Sequence, residues 1–291
     1  MKLVSPLLAG GATDAIVRPI ALRLGELWGQ PVVVENRPGG GTVIGTQAIA
    51  TAPPDGHTFG IVISALTINP SLRSDLPYDT FRDITPIINI GHVTSALVAH
   101  AGFAAATLEE TIAQVKARPG AVSYASLGVG TAGHITAELL RARRGLDWIH
   151  VPFAGSSAAY RELLPGRVPL GFVVLESALP HVAAGKLKVI ALTDLKRNKL
   201  HPELPLIGES VPGLGYDGIF GFVGPRGLPA DLVRALNTDI ARVLAEPDIR
   251  RQLERQSMAV DAGPAAEFAN VIRRGVDYWK EAVKASGAHV G

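Results

Sequence analysis

Short apolar runs alternate with segments of helical spacing along the whole chain, and this rhythm restricts the fold more than any other feature. LVSPLL (Leu3–Leu8) reads as a strand, and Asp14–Trp28 repeats apolar residues at helical spacing: Ala15, Ile16, Ile20, Leu24 and Leu27. PVVVEN (Pro31–Asn36) reads as a second strand, PGGG (Pro38–Gly41) as a turn and Val43–Thr51 as a short helix. After the PPDG turn, HTFGIVIS (His57–Ser64) is a third strand. Strands separated by helices can pair side by side in parallel, because the helix is the crossover, so the pattern predicts β-α-β units on a mostly parallel sheet.

The register begins again near residue 100. Ile84–Gly91 and Thr94–His100 read as strands, and Thr107–Ala117 as a helix that Thr107 and Glu110 cap reciprocally. AVSYAS, WIHVPF, VPLGFVV and LKVIALT then alternate with helices over Thr131–Arg144, Ser157–Leu164 and Ser177–Ala184, and two helical segments, Pro229–Leu244 and Pro264–Ala285, close the chain. A chain of 291 residues suits two cores better than one. Crossings are expected around His100–Ala106 and in the glycine-rich YDGIFGFVGPRG, which gives one lobe from residues 1–100 and 219–291 and a second from 101–218. A cleft between two such lobes is a common place for a small ligand.

Composition narrows the chemistry. Hydrophobic residues make up 47% and charged residues 19%, as in globular proteins. Without cysteine there is no disulfide, thiolate nucleophile or Cys-built zinc site. A formal net charge of +2, with the densest basic cluster only RARR at Arg141–Arg144, gives no footprint for nucleic acid. No run of 18 apolar residues exists to span a membrane. The histidines show no metal-ligand spacing, and G-x-S-x-G and H-E-x-x-H are missing, so no metal, no cofactor and no enzymatic activity are expected. Ser126, His134 and Asp14 compose a triad on paper alone. His57 reads as a turn residue, His150 as an ordinary strand position and Glu35 as an ion-pair partner of Arg37.

Between AVSYAS and the next helix, Gly128–Gly133 reads GVGTAG, a match to G-x-G-x-x-G. A dinucleotide reading needs an acid at the carboxyl end of the following strand, where this chain has Ala154 and Gly155; Asp147 comes before that strand. What the element retains is the physics of a helix N-terminus, where unpaired N–H groups and partial positive charge receive an anion without a lysine. Ser126 and Thr131 add hydroxyls, and His134 follows within a turn. The plainer reading is that Thr131 caps the helix and Gly128, Gly130 and Gly133 allow a tight turn. The same device recurs in AGGATDA (Ala9–Ala15), IVISALTINP (Ile61–Pro70) and VPFAGSSAAY (Val151–Tyr160), and parallel strands would bring these loops to the carboxyl edges of their sheets.

Taken together, LVSPLLAGGATDAIVRPIALRLGELWGQPVVVENRPGGGTVIG, APPDGHTFGIV, INPSLRSDLPYD, YASLGVGTAGH, VPFAGSSAAYRELLPGRV, SALPHVAAGKLKVIALT and LPADLVRALNTDIARVL resemble the Bug family, the extracytoplasmic receptors of tripartite tricarboxylate transporters. The resemblance spans almost the whole chain. It implies the α/β fold of type II periplasmic binding proteins: two lobes, each a mixed, mostly parallel sheet flanked by helices, with the ligand cleft between them. It also implies a non-catalytic monomer that captures a small organic carboxylate and delivers it to membrane permease subunits, located in the periplasm, with the leader peptide not included in this sequence. A ligand-sensing partner of a membrane kinase would have the same pocket, and a cytoplasmic α/β enzyme acting on a carboxylate is the less favoured alternative.

Carried over by the resemblance, one ligand loop is Ala9, Gly10, Gly11, Ala12, Thr13 and Asp14. A second comprises Ser126, Gly128, Gly130 and Thr131, with His134 nearby. Ser64 to Thr67, and Phe153 to Ser157 through Gly155 and Ser156, would line the sides, and Arg37 would be structural. Departures from the family pattern are PLLAGG in the first loop, the apolar Ile63–Leu66 stretch, and Pro169 and Val173 where aspartates are common. The last of these implies a ligand without an amine, a plain carboxylate with an apolar or aromatic body.

Overall fold

The computed structural model describes every residue except 154, 199, 200, 217, 257 and 287–291. The chain begins with β1 (Lys2–Ser5), α1 (Ala12–Trp28), β2 (Val33–Asn36), a 3-10 turn at Gly40–Thr42, α2 (Val43–Ala50), β3 (Thr58–Ile63), α3 (Ala65–Leu72) and β4 (Ile84–Val93). It continues through β5 (Ser95–His100), α4 (Leu108–Lys116), β6 (Ser123–Ser126), α5 (Ala132–Arg144), β7 (Ile149–Pro152), α6 (Ser156–Leu163), β8 (Leu170–Val174), α7 (Leu175–Ala183), β9 (Leu187–Leu192) and α8 (Ile207–Ser210). It closes with β10 (Phe220–Pro225), α9 (Ala230–Ala245), α10 (Pro247–Glu254), β11 (Met258–Val260) and α11 (Ala265–Ser286).

Contacts group these elements into two units, Met1–His92 with Gly218–Lys280, and Val93–Asp217 with the chain from Glu281 onward. The first unit holds a six-stranded sheet in the order β11-β4-β10-β3-β1-β2. β1 lies parallel to both β2 and β3, pairing Lys2 with Val33 and with Thr58. The carboxyl ends of these strands therefore share one edge. On α1, Ile16, Ile20 and Leu24 follow one another at helical spacing and are fully buried, while Arg18 and Leu22 on other faces are exposed. Fully burying each such side chain contributes about 1.5–3 kcal/mol. Phe59 of β3 anchors this core, with edge-on contacts to Trp28 and Phe222.

The second unit holds a five-stranded sheet, β7-β6-β8-β5-β9. β6 is parallel to β7 and β8, and β5 is antiparallel to β8 and β9. The capping box expected on α4 is present, with Thr107 accepting from the Glu110 N–H and Glu110 reaching back to the Thr107 N–H.

Three local expectations change. YDGIFGFVGPRG is more than a connection: its Phe220–Pro225 part is β10, antiparallel between β3 and β4. Its glycine content misleads because Gly221 answers a packing need: a Cβ there would lie 2.3 Å from the Phe268 ring of α11. The stretch after β3 continues directly into α3, so it is helical rather than an open loop. β5, placed at the end of the first lobe from the sequence, pairs in the second sheet, because Ser95–Ala99 match Val174–Leu170 of β8.

Candidate functional site

In the first unit, the turn from β1 to α1 exposes Ala9, Gly10 and Gly11, with Gly10 in the left-handed region at φ 78°. α1 opens at Ala12 with Gly11 as its N-cap and no side-chain cap. Asp14 supplies what the cap lacks. It lies buried beneath the turn, where its Oδ2 accepts from the Gly10 N–H and from Arg18 Nε, both at 2.8 Å, and its Oδ1 accepts from Asn36 Nδ2 at 2.9 Å. Asn36 Nδ2 also donates to the Leu7 carbonyl. Burial pushes the Asp14 carboxyl up, but hydrogen bonds from Asn36, Gly10 and Arg18 outweigh it, leaving the group below its ordinary value.

Asp14 is therefore the internal anion that shapes this loop. A negative charge inside the first turn also offsets part of the field at the start of α1. Thr13 is buried beside it.

Ser64 and Thr67 take structural roles. The Ser64 hydroxyl accepts from the Ile219 N–H at 3.0 Å, and fully buried Thr67 donates to the Ser64 carbonyl at 2.8 Å. α3 turns the Thr67 hydroxyl back onto the helix start. Glu35 pairs with Arg37 at 2.6 Å, as an ion-pair reading requires. Open depressions around Met1, Lys2, Val33, His57 and Thr58 lie at the opposite, amino-terminal edge of these strands.

In the second unit, β6, β7 and β8 deliver Ser126, Pro152 and Val174 to one sheet edge. The loop from β6 to α5 is held from within. Gly128, at φ 133°, and Gly130, at φ 79°, adopt conformations that side chains disfavour. The Thr131 hydroxyl donates to the Gly128 carbonyl at 2.7 Å and accepts the His134 N–H weakly at 3.5 Å. The Gly130 N–H donates to His134 Nδ1 at 3.2 Å, which places the proton of neutral His134 on Nε2.

Ser126 sits at the centre of this loop and is fully buried, and its hydroxyl braces the loop. It accepts the Gly128 N–H at 3.2 Å, donates toward the Gly128 carbonyl at 3.1 Å and lies 2.6 Å from His150 Nε2, in roles set by the imidazole tautomer. His150, expected to be an ordinary strand residue, stacks on Tyr124 at 5.0 Å and on His134 at 4.1 Å. Burial lowers both histidines below the ordinary value, the His134 ring lowers His150 further, and His150 reaches about 4. Glu138 opposes both shifts while its Oε1 accepts the Tyr124 hydroxyl at 2.7 Å. At neutral pH the site therefore carries two neutral imidazoles.

α5 has no acidic residue in its first turn, and helix geometry leaves the Ala132 and Gly133 N–H groups without an intrahelical partner. The third glycine of GVGTAG serves packing: a Cβ on Gly133 would lie 2.8 Å from the Phe172 Cβ of β8. Phe153 donates its N–H to the Ser126 carbonyl at 3.0 Å, and Gly155, at φ 95°, donates to the Phe153 carbonyl and opens α6 at Ser156. Ala154 lies outside the described residues. Val173 is buried in the core, so its lack of a carboxylate carries no information about a ligand's amine.

The second loop thus presents the Ala132 and Gly133 N–H groups of an acid-free helix start, backed by a Thr131 hydroxyl and two neutral imidazoles engaged within the loop, an arrangement that favours an anion. Ser126 and His150 are within hydrogen-bond reach, but the burial of Ser126 removes it from nucleophilic use. Among the described residues no cluster of three or more His, Cys, Asp or Glu is placed to hold a metal, and no helix is long and apolar enough to cross a membrane.

Residues 16–288 match the family model described as the tripartite tricarboxylate transporter family receptor. BugT of Bordetella pertussis is 30% identical over 99% of this chain and 89% of its own length. The structure of R. palustris Rpa4515 with adipate is similar at a TM-score of 0.89 and 30% identity, covering 99% of this chain and 97% of that one. MatC of Rhodopseudomonas palustris with bound malate is similar at a TM-score of 0.83 and 26% identity, covering 97% and 98%. The chain belongs to the tripartite tricarboxylate transporter receptor family, and its fold and family are those of solute-binding receptors, not of enzymes.

Proposed function

We propose that this receptor works in the periplasm as a monomer, captures a small organic carboxylate on its strand-to-helix loops and passes it to membrane permease subunits. The observation that carries the reading is the β6–α5 loop, which offers an anion neutral donors and an acid-free helix start. Adipate in Rpa4515 and malate in MatC support a carboxylate as the ligand here. The β1–α1 loop, through its backbone N–H groups and those of Thr13 and Asp14, is a second carboxylate-binding element. The β7–α6 turn at Phe153, Gly155 and Ser156 flanks the first. Recognition by neutral donors rather than a full salt bridge suits a ligand that must be released, and micromolar affinity, about -8 kcal/mol, is sufficient.

The ligand body is apolar and lacks an amine. Leu8 is 71% exposed on the first loop and Val129 52% exposed on the second, while the carboxylate of Asp14 is fully engaged by Gly10, Arg18 and Asn36. A thermal-shift panel of mono-, di- and tricarboxylates and amino acids tests this. A ligand at a thousand times its Kd stabilises the folded state by about 4 kcal/mol, so an aliphatic or aromatic carboxylate should raise the Tm clearly and amino acids should not. A panel in which no small acid raises the Tm overturns the reading.

A further inference from the structure

We propose, resting on the reading that the β6–α5 loop receives the ligand carboxylate, that His150 of the neighbouring strand is the positioning residue of that loop. It acts through Ser126 and His134 and holds the two left-handed glycines, Gly128 and Gly130, in the conformation that presents the loop's N–H groups.

Strand register sets the geometry. β6 and β7 run parallel with Tyr124 opposite His150 and Ser126 opposite Pro152. Side chains two apart on a strand share a face, so Tyr124 and Ser126 point to the same side of the sheet, the side on which His150 and α5 meet them. There the rings form a column. His150 lies between Tyr124, at 5.0 Å and 19°, and His134, at 4.1 Å and 20°. With both ring faces covered, the His150 ring cannot turn without opening the stack, and its Nε2 is fixed beside Ser126 Oγ at 2.6 Å.

Each glycine of the loop is then tied to one histidine. Gly128 is held through Ser126, which contacts both its N–H and its carbonyl, and Gly130 is held directly by His134 Nδ1. His150 joins the two ties. Because the column belongs to β6, β7 and α5, the loop inherits its shape from regular structure and needs little reorganisation when it binds.

The test uses the full chain with His150→Phe, which keeps the ring but removes the nitrogen, His150→Gln, which keeps a terminal nitrogen but removes the ring, and Ser126→Ala. Backbone amide resonances of Gly128 and Gly130 and the imidazole nitrogen shifts of His134 are read by NMR without ligand. Adipate affinity is read by calorimetry.

His150→Phe should move the Gly128 amide and weaken adipate at least fivefold, and combining it with Ser126→Ala should add little further loss, because both break one tie. His150→Gln should bring the Gly128 amide back toward its wild-type position while shifting Gly130 and His134. Unchanged glycine amides in both His150 variants, or fully additive losses in the double variant, would overturn the proposal. If the wild-type chain ignores adipate, the failure lies with adipate as ligand, and the glycine amides alone decide whether His150 positions the loop.

Discussion

His134 and His150 lie face to face, with ring centroids 4.1 Å apart and planes 20° apart, beside the β6–α5 loop, whose helix starts without an acid. Two imidazolium rings at that distance would repel, and burial already disfavours charging either one.

Stability should therefore fall on mild acidification. A histidine whose folded pKa is depressed binds fewer protons folded than unfolded, so stability is intact above the unfolded value, near 6.5, and declines as pH falls toward the folded value. For His150 that window runs from about 6.5 to about 4. The loss should be about 1–3 kcal/mol over the window. Urea denaturation at pH 7.0 and pH 5.0 should show it in the wild type and show less of it in His150→Phe. Asp14, with its pKa below the ordinary carboxylate value, adds its own loss only at still lower pH.

Asp14→Ala leaves the Gly10 N–H, Asn36 Nδ2 and Arg18 Nε without their common acceptor. Unfolding free energy should drop by about 2–4 kcal/mol, since a hydrogen-bonded ionic centre is broken on one side. Asp14→Asn, which keeps one acceptor oxygen, should lose about half as much. Equal losses in the two variants would mean that the side chain's volume, rather than its acceptors, organises the turn.

Gly133→Ala should destabilise by about 1–3 kcal/mol through overpacking, as the new methyl meets the Phe172 Cβ at 2.8 Å. Gly130→Ala meets a different obstacle, a left-handed backbone at φ 79°, worth about 1–2 kcal/mol. Carboxylate affinity separates them. Gly130→Ala should weaken binding by distorting the loop, whereas a stable Gly133→Ala chain should bind almost as the wild type.

Thr131→Val removes the donor to the Gly128 carbonyl and the cap of α5. It should cost about 1 kcal/mol of stability and weaken carboxylate binding, with Thr131→Ser restoring both. Affinity unchanged in the valine variant would make Thr131 a cap and nothing more.

Much of the architecture was legible because periodicity and capping are local. Ile16, Ile20 and Leu24 announce the buried face of α1, and Thr107 with Glu110 announces the start of α4. β10 was hidden because Gly221 is set by the Phe268 ring of a distant helix, and a glycine-rich stretch reads as a turn until that ring is in place. The loops showed the same divide. Gly128 and Gly130 advertised a tight turn, but the burial of Ser126 and Thr67 depends on what packs over them.

The sequence by itself determined the alternation of strands and helices, the helix starts with their glycines and hydroxyls, and the family. Tertiary structure alone decided which polar groups brace the loops. A carboxylate such as Asp14 or a hydroxyl such as Ser126 reads as a ligand contact until its partners are known, and those partners, Asn36 and His150, come from neighbouring strands that pair only in the folded sheet. Hydrogen-bond partners and burial are set by strand register and packing, which no short stretch of sequence contains.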